Sequence, residues 1–271
     1  MTSDNASDTR LNAIGVALLG AWLLALLAGP YLLAAAGVAL NAHGHAHLHA
    51  HGHPFADART FWGIPNAMDV LSNLPLALAG VLGLWAASLR RLPPDSTLVL
   101  RVFFTGLLLC GLCSAWYHAM PSAQGLVLDR MGMAVAFAGA LSLAVAERVG
   151  PRTVAPVLGF TLLTALVSSA LPFTHDNVLP WAVVQFGGVA VIVWAAFRRP
   201  AAGAMGVHLG ALIALYALAK VLEMGDAAVF HASGEWISGH SLKHVAAALA
   251  AWPVFVALKR QPLRQNPAAR R

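Results

Sequence analysis

The chain has 271 residues, of which 59% are apolar and only 10% are charged, and it carries a net charge of +6. Soluble domains carry roughly 25% charged residues. This composition, with a mean hydropathy of +0.70, therefore excludes a water-exposed globular surface. The basic residues sit in pairs at the ends of apolar runs and are not interleaved with aromatics. That excludes a nucleic-acid groove and marks them as topology anchors.

The first apolar run, Leu11–Leu40, is about twice the usual length of a signal-peptide core and lacks a small-x-small cleavage site. It reads as an uncleaved helix, kinked at Gly29–Pro30, so residues 1–40 form a tail and an extra transmembrane helix. Residues 41–61 are low-complexity: His43, His45, His47, His49, His51 and His53 alternate with small residues. Seven further spans follow, each near the roughly 20 residues that ~30 Å of hydrocarbon requires. They are approximately Ala67–Leu89, Leu98–His118, Asp129–Glu147, Val154–Leu171, Val178–Phe197, Met205–Met224 and Ile237–Leu258. Cys110 and Cys113 lie inside one of them and read as packing residues, since buried thiolates would need a metal to offset their charge.

Orientation follows from the arginines. Arg90 and Arg91, Arg148 and Arg152, Arg198 and Arg199, and Lys259 with Arg260 and Arg264 follow the second, fourth, sixth and eighth spans. Arg10 precedes the first, and the intervening loops carry only Arg59 and Arg130. The positive-inside rule then predicts cytoplasmic termini, with 259–271 as a basic cytoplasmic tail and the His-rich loop outside. The Ala-rich spans and short loops suit a bacterial inner membrane.

Polar residues within spans are costly and need a reason. Asn66, Asp69, Ser72 and Asn73 open the second span, and Ser114 and His118 close the third. Asp129 opens the fourth, Lys220 and Glu223 close the seventh, and His240, Lys243 and His244 open the eighth. The predicted topology puts all of them at the extracytoplasmic ends of their helices. Ser114–His118 and His240–His244 are i, i+4 pairs, each on one helix face. Two histidines so spaced reach one metal, and a third from another helix leaves a fourth position for water, the layout of a catalytic zinc site. Asp129 would act as general base and Ser114 as oxyanion donor. A lone interfacial histidine is the commoner reading of His118 by itself; the convergence favours a metal. A bis-His haem is disfavoured, because an i, i+4 pair cannot clamp both faces of one haem. An ion pair with Glu223 accounts for Lys220 without a retinal Schiff base. His208 reads as interfacial, and His175 and His231 as solvated loop residues.

The stretch Ser114-Ala-Trp-Tyr-His118, then Asp129, then His240-Ser-Leu-Lys-His244 resembles the alkaline ceramidases, part of a superfamily of seven-helix membrane hydrolases that includes the adiponectin-receptor type. Ser72-Asn73 is similar to that family's Ser-Asn motif, and the resemblance spans about Trp62 to Leu258. It implies an all-α, polytopic transmembrane bundle: a seven-helix hydrolase core, residues 62–258, plus one N-terminal helix. It also implies zinc held by His118, His240 and His244, with Asp129 and Ser114 acting on the amide of ceramide or another N-acyl membrane lipid. Asn66, Asp69, Ser72, Asn73, Lys220, Glu223 and Lys243 would support the metal or bind substrate. The chain departs from the family at Asn66 and Asp69, in the extra first span, and in having Asp57 alone where eukaryotic members carry an acidic calcium-binding segment. Two rival readings are a lipid-binding receptor with structural zinc, and a metal transporter suggested by the His-rich loop.

Overall fold

The structure is a computed structural model that describes residues 3–37 and 55–264. The His43–His53 tract and the end of the basic tail lie outside the described residues. The fold is an all-α polytopic bundle. Among the described residues, seven stretches are long and apolar enough to cross a bilayer: Thr9–Ala35, Ala67–Ser88, Pro94–Ala119, Ala123–Arg148, Pro151–Thr174, Leu179–Ala196 and Gly239–Lys259. The chain is thus a multi-pass integral membrane protein.

The elements in chain order are α1 (Ser3–Ala35), α2 (Ala67–Leu71), α3 (Leu74–Ser88), α4 (Pro94–Ala119) and α5 (Ala123–Arg148). Then come α6 (Val154–Thr174), α7 (Leu179–Ala196), α8 (Leu209–Met224), α9 (Asp226–Ala232), α10 (Gly239–Leu249) and α11 (Trp252–Lys259). Prolines set two of the breaks. Pro75 has no N–H for the Leu71 carbonyl, and Pro253 has none for the Leu249 carbonyl. α2 stops at Leu71 and α10 at Leu249, so two expected single helices are each divided in two.

Pro30 behaves differently. At Gly29–Pro30, where a kink is expected, α1 is assigned as one helix through both residues. The Asn177 side chain donates to the Ala25 carbonyl at 2.9 Å and the Leu26 carbonyl at 3.3 Å. It thereby satisfies the acceptor that Pro30 leaves open. Gly29 makes the approach feasible, because a Cβ there would collide with the Asn177 amide.

The expected seventh span, Met205–Met224, is helical only over α8, whose 16 residues fall short of a regular crossing. Its lead is drawn out by Glu147, a buried carboxylate at the end of α5. Glu147 accepts from the backbone N–H groups of Met205 (2.7 Å), Gly206 (2.9 Å) and Val207 (2.8 Å). α8 starts beside Glu147 and ends beside the cavity that Asp129 lines on α5. Its 16 residues rise about 24 Å at 1.5 Å per residue, and the non-helical lead from Met205 makes up the rest of the ~27 Å that separates those two residues on α5.

α4 and α5 form the closest pair. A Cβ on Gly139 would lie 2.5 Å from the Phe103 backbone, and one on Gly132 would lie 2.8 Å from Cys110. Small residues at this contact let the two backbones approach, the usual basis of helix association in lipid. The pair carries Ser114 and His118 on one helix and Asp129 on the other. α5 begins at Ala123, six residues before Asp129, so Asp129 lies in its second turn rather than opening it. Ser122 caps this start by accepting from Gly125 N at 3.0 Å.

Candidate metal centre

His118 at the end of α4 and His240 and His244 at the start of α10 come together in the bundle. All three are buried, at 0%, 0% and 4% exposure. One ring nitrogen from each lies within 4.8 Å of the others. The Nε2 atoms of His118 and His240 are 3.2 Å apart. Nitrogens bound at about 2.0–2.1 Å to one tetrahedral ion lie about 3.3 Å from each other. The donor set and its spacing therefore fit a single metal ion, and the cluster can hold one.

The surrounding side chains fix this geometry. His244 Nδ1 and Ser72 Oγ are 2.8 Å apart, and Ser72 Oγ also donates to the Asp69 carbonyl at 3.1 Å. With its one proton used on Asp69, Ser72 accepts from the His244 Nδ1–H. That tautomer leaves Nε2 as the nitrogen with the lone pair. Asp69, fully buried, takes the hydroxyls of Ser241 (2.6 Å) and Ser238 (3.2 Å) on one oxygen, while Ser238 accepts from Ser241 N at the first turn of α10. Asn73 donates to the Asp69 carbonyl at 2.8 Å. Asn66, in the left-handed conformation that Asn tolerates, donates to the His118 carbonyl at 2.8 Å. These four residues of the second span thus hold the backbones and rings of the histidines. Outer partners of this kind typically change metal affinity 10–100-fold. Ser72→Ala should weaken metal binding by roughly that factor without abolishing it, measured by competition with a calibrated chelator.

Phe55, Asp226 and Asp57 surround the centre. Phe55 packs its ring against His118 (4.8 Å between centroids), His240 (5.5 Å) and Tyr117 (5.9 Å). Asp226, at the start of α9, accepts from His240 N at 2.8 Å and from Ala56 N at 3.2 Å, tying the segment bearing Phe55 to α10. Asp57 is claimed by Arg59 through contacts of 2.7 and 2.6 Å, and Arg59 NH2 also donates to the Trp236 carbonyl at 3.0 Å. The hydrogen bonds that Arg59 donates to the Asp57 carboxylate raise the guanidinium's pKa above its ordinary value. A Phe after a histidine tract carries no distinctive sequence signal, so only the fold reveals its role.

Ser114 and Asp129 are both buried and within side-chain hydrogen-bonding reach of each other. With His244 they line a cavity of about 170 Å³ whose other end is apolar, at Phe103, Leu107 and Phe137. Phe103 and Ser114 are eleven residues apart on α4, about 16 Å at 1.5 Å per residue. Lys220, Glu223 and Lys243 line the same cavity and form one ion-paired group. The other described histidines lie elsewhere. His208 caps α8 at its far end, accepting from Ala211 N at 3.0 Å, and His175 and His231 are exposed. Both cysteines are free, and Cys110 borders the cavity.

Fold and site together define a multi-pass helical membrane protein with a buried three-histidine cluster able to hold a metal ion. No family model, no curated protein and no solved structure matches the chain in comparisons with known proteins.

Proposed function

We propose that the protein is a zinc-dependent lipid amidase of the alkaline ceramidase type, cleaving the amide of ceramide or a related N-acyl lipid. The observation that carries this reading is the shared cavity. One space is lined by a cluster histidine, by the Ser114–Asp129 pair, and by an apolar shaft about as deep as an acyl chain is long. A structural metal site needs neither the carboxylate nor the shaft.

Three neutral histidines suit zinc, which when bound supplies a Lewis acid that makes water nucleophilic near neutral pH. The apolar shaft holds the acyl chain and positions the amide carbon beside Asp129. Asp129 accepts a proton from the attacking water and returns it to the departing nitrogen. Ser114 turns its hydroxyl from Asp129 to the carbonyl oxygen as negative charge develops there. Phe55 covers the histidines on the side opposite the shaft, so bulk water is kept from the reacting carbon. The four polar groups of the second span preserve the tautomer and aim of the rings.

The test is release of free fatty acid from a panel of N-acyl lipids by purified protein in detergent. Turnover that a chelator removes supports the reading. A protein that binds zinc but turns over no member of the panel would be a receptor-like lipid binder instead.

We infer from the arginine pattern that the site faces the extracytoplasmic leaflet, and the Ala-rich spans suit a bacterial inner membrane. A reporter fused after Arg271 should then be cytoplasmic and a tag near Gly125 extracytoplasmic. The reverse result would move the site to the inner leaflet.

A further inference from the structure

Gln185 on α7 and Tyr216 on α8 take no part in the steps above, yet both line the cavity that holds Ser114, Asp129 and His244. Each belongs to a stripe at helical spacing: Trp181 and Gln185 on α7, and Leu212, Tyr216 and Glu223 on α8. Glu223 stands at the polar end of the cavity. Tyr216 is seven residues before it, about 10 Å at 1.5 Å per residue, and four residues after Leu212. The pair therefore interrupts the apolar shaft partway down and closes neither end.

Gln185 Nε2 donates to Tyr216 Oη at 2.7 Å. That bond leaves capacity on both partners. Tyr216 keeps its own O–H to give, and Gln185 keeps the lone pairs of Oε1. Among the described residues neither group has a further hydrogen-bond partner. A single bond between α7 and α8 is the ordinary use of polar side chains between membrane helices. That use needs no frontage on a cavity. Here a plain alkyl chain filling the shaft would cover both groups and satisfy neither, which is costly in hydrocarbon. A hydroxyl on the chain answers both: its O–H donates to Gln185 Oε1, and its oxygen accepts from the Tyr216 O–H. Lys220, one turn nearer the polar end, is held by Glu223 at 2.6 Å, so the group recognised at this depth is uncharged.

We propose that Gln185 and Tyr216 form a hydroxyl-recognition subsite, and that the favoured N-acyl lipid carries a hydroxyl group near the middle of its acyl chain. An extended chain advances about 1.2 Å per bond, so ~10 Å of depth corresponds to about eight or nine bonds beyond the amide. The subsite stands on the cavity geometry; the assignment of the hydroxyl to a substrate's acyl chain rests on the amidase reading above.

The test compares three ceramides that share one sphingoid base and differ only in the acyl chain: 10-hydroxystearoyl, 2-hydroxystearoyl and stearoyl. Binding is measured on the zinc-loaded protein by tryptophan fluorescence, since Trp181 lines the cavity, and hydrolysis is followed alongside. The 10-hydroxystearoyl lipid should be favoured roughly 5–50-fold over both others, the net worth of two neutral hydrogen bonds. Tyr216→Phe and Gln185→Leu should each remove most of that preference. The preference is a ratio taken within each variant, so a general loss of folded protein cancels. Equal binding of all three lipids by the parent protein would overturn the proposal and leave the pair as a link between α7 and α8. A preference that survives both variants would overturn it as well. Tighter binding of the 2-hydroxystearoyl than of the 10-hydroxystearoyl lipid would overturn the mid-chain assignment. A Tyr216-dependent preference with no hydrolysis of these ceramides or of the wider panel would defeat the amidase reading while leaving the subsite in place. Hydrolysis of all three with equal affinities would do the opposite.

Discussion

Asp129→Asn is expected to lower amide hydrolysis by on the order of 10⁴ while the purified protein keeps its zinc, because a buried carboxylate that accepts the water proton has no substitute. Asn preserves the volume and can still accept a hydrogen bond from Ser114, so the packing of α5 against α4 is retained. What is lost is only the capacity to take a proton. Ser114→Ala should cost less, about 10²–10³, the usual loss for one oxyanion donor. The ordering is informative, since a protein with structural zinc has no reason to show it. Rates are read as fatty-acid release, with zinc content measured on the same preparations. If Asp129→Asn matches the parent, Asp129 is only a polar group in the second turn of α5.

The second large effect concerns the metal itself. His240→Ala or His244→Ala should remove zinc from purified protein and abolish turnover together. Both residues come from α10, so each variant takes away one of two donors on one helix and leaves His118 facing a gap. His208→Ala serves as the comparison: it lies at the far end of α8 and should leave zinc content intact. Deletion of residues 43–53 should also leave this zinc in place, because His118, His240 and His244 by themselves supply three donors. Full zinc occupancy in both His240→Ala and His244→Ala would end the metal assignment.

The sequence carried the centre in its spacing more than in its composition. An i, i+4 histidine pair fixes two donors on one helix face whatever the tertiary fold, and polar groups in hydrocarbon are so costly that their helix ends agree in depth. That logic placed Ser72 and His244 near one layer, and the fold brings them within 2.8 Å. It could not show that Ser72 sets the His244 tautomer, since that depends on its second bond to the Asp69 carbonyl. Helix shape was less legible, because hydropathy is blind to backbone donors. The breaks after Leu71 and Leu249 came from Pro75 and Pro253, while Pro30 left α1 continuous because Asn177, 147 residues later, serves the carbonyls beneath it. The short α8 was hidden for the same reason: Glu147 reads as an ordinary charge at a helix end, and only in the fold does it draw residues 205–207 out of the helix. Phe55 gave no signal because its role arises from contacts across the chain.

The most direct test of the central claim is a metal-reload assay on a panel of neutral and anionic N-acyl lipids. Purified protein is stripped with a chelator, assayed for fatty-acid release, and assayed again after one equivalent of zinc is restored. The account predicts that release disappears on stripping and returns with zinc in the parent protein, but does not return in Asp129→Asn, although that variant takes up the same zinc. Release that persists in fully stripped protein, or that never occurs with zinc bound, would contradict it.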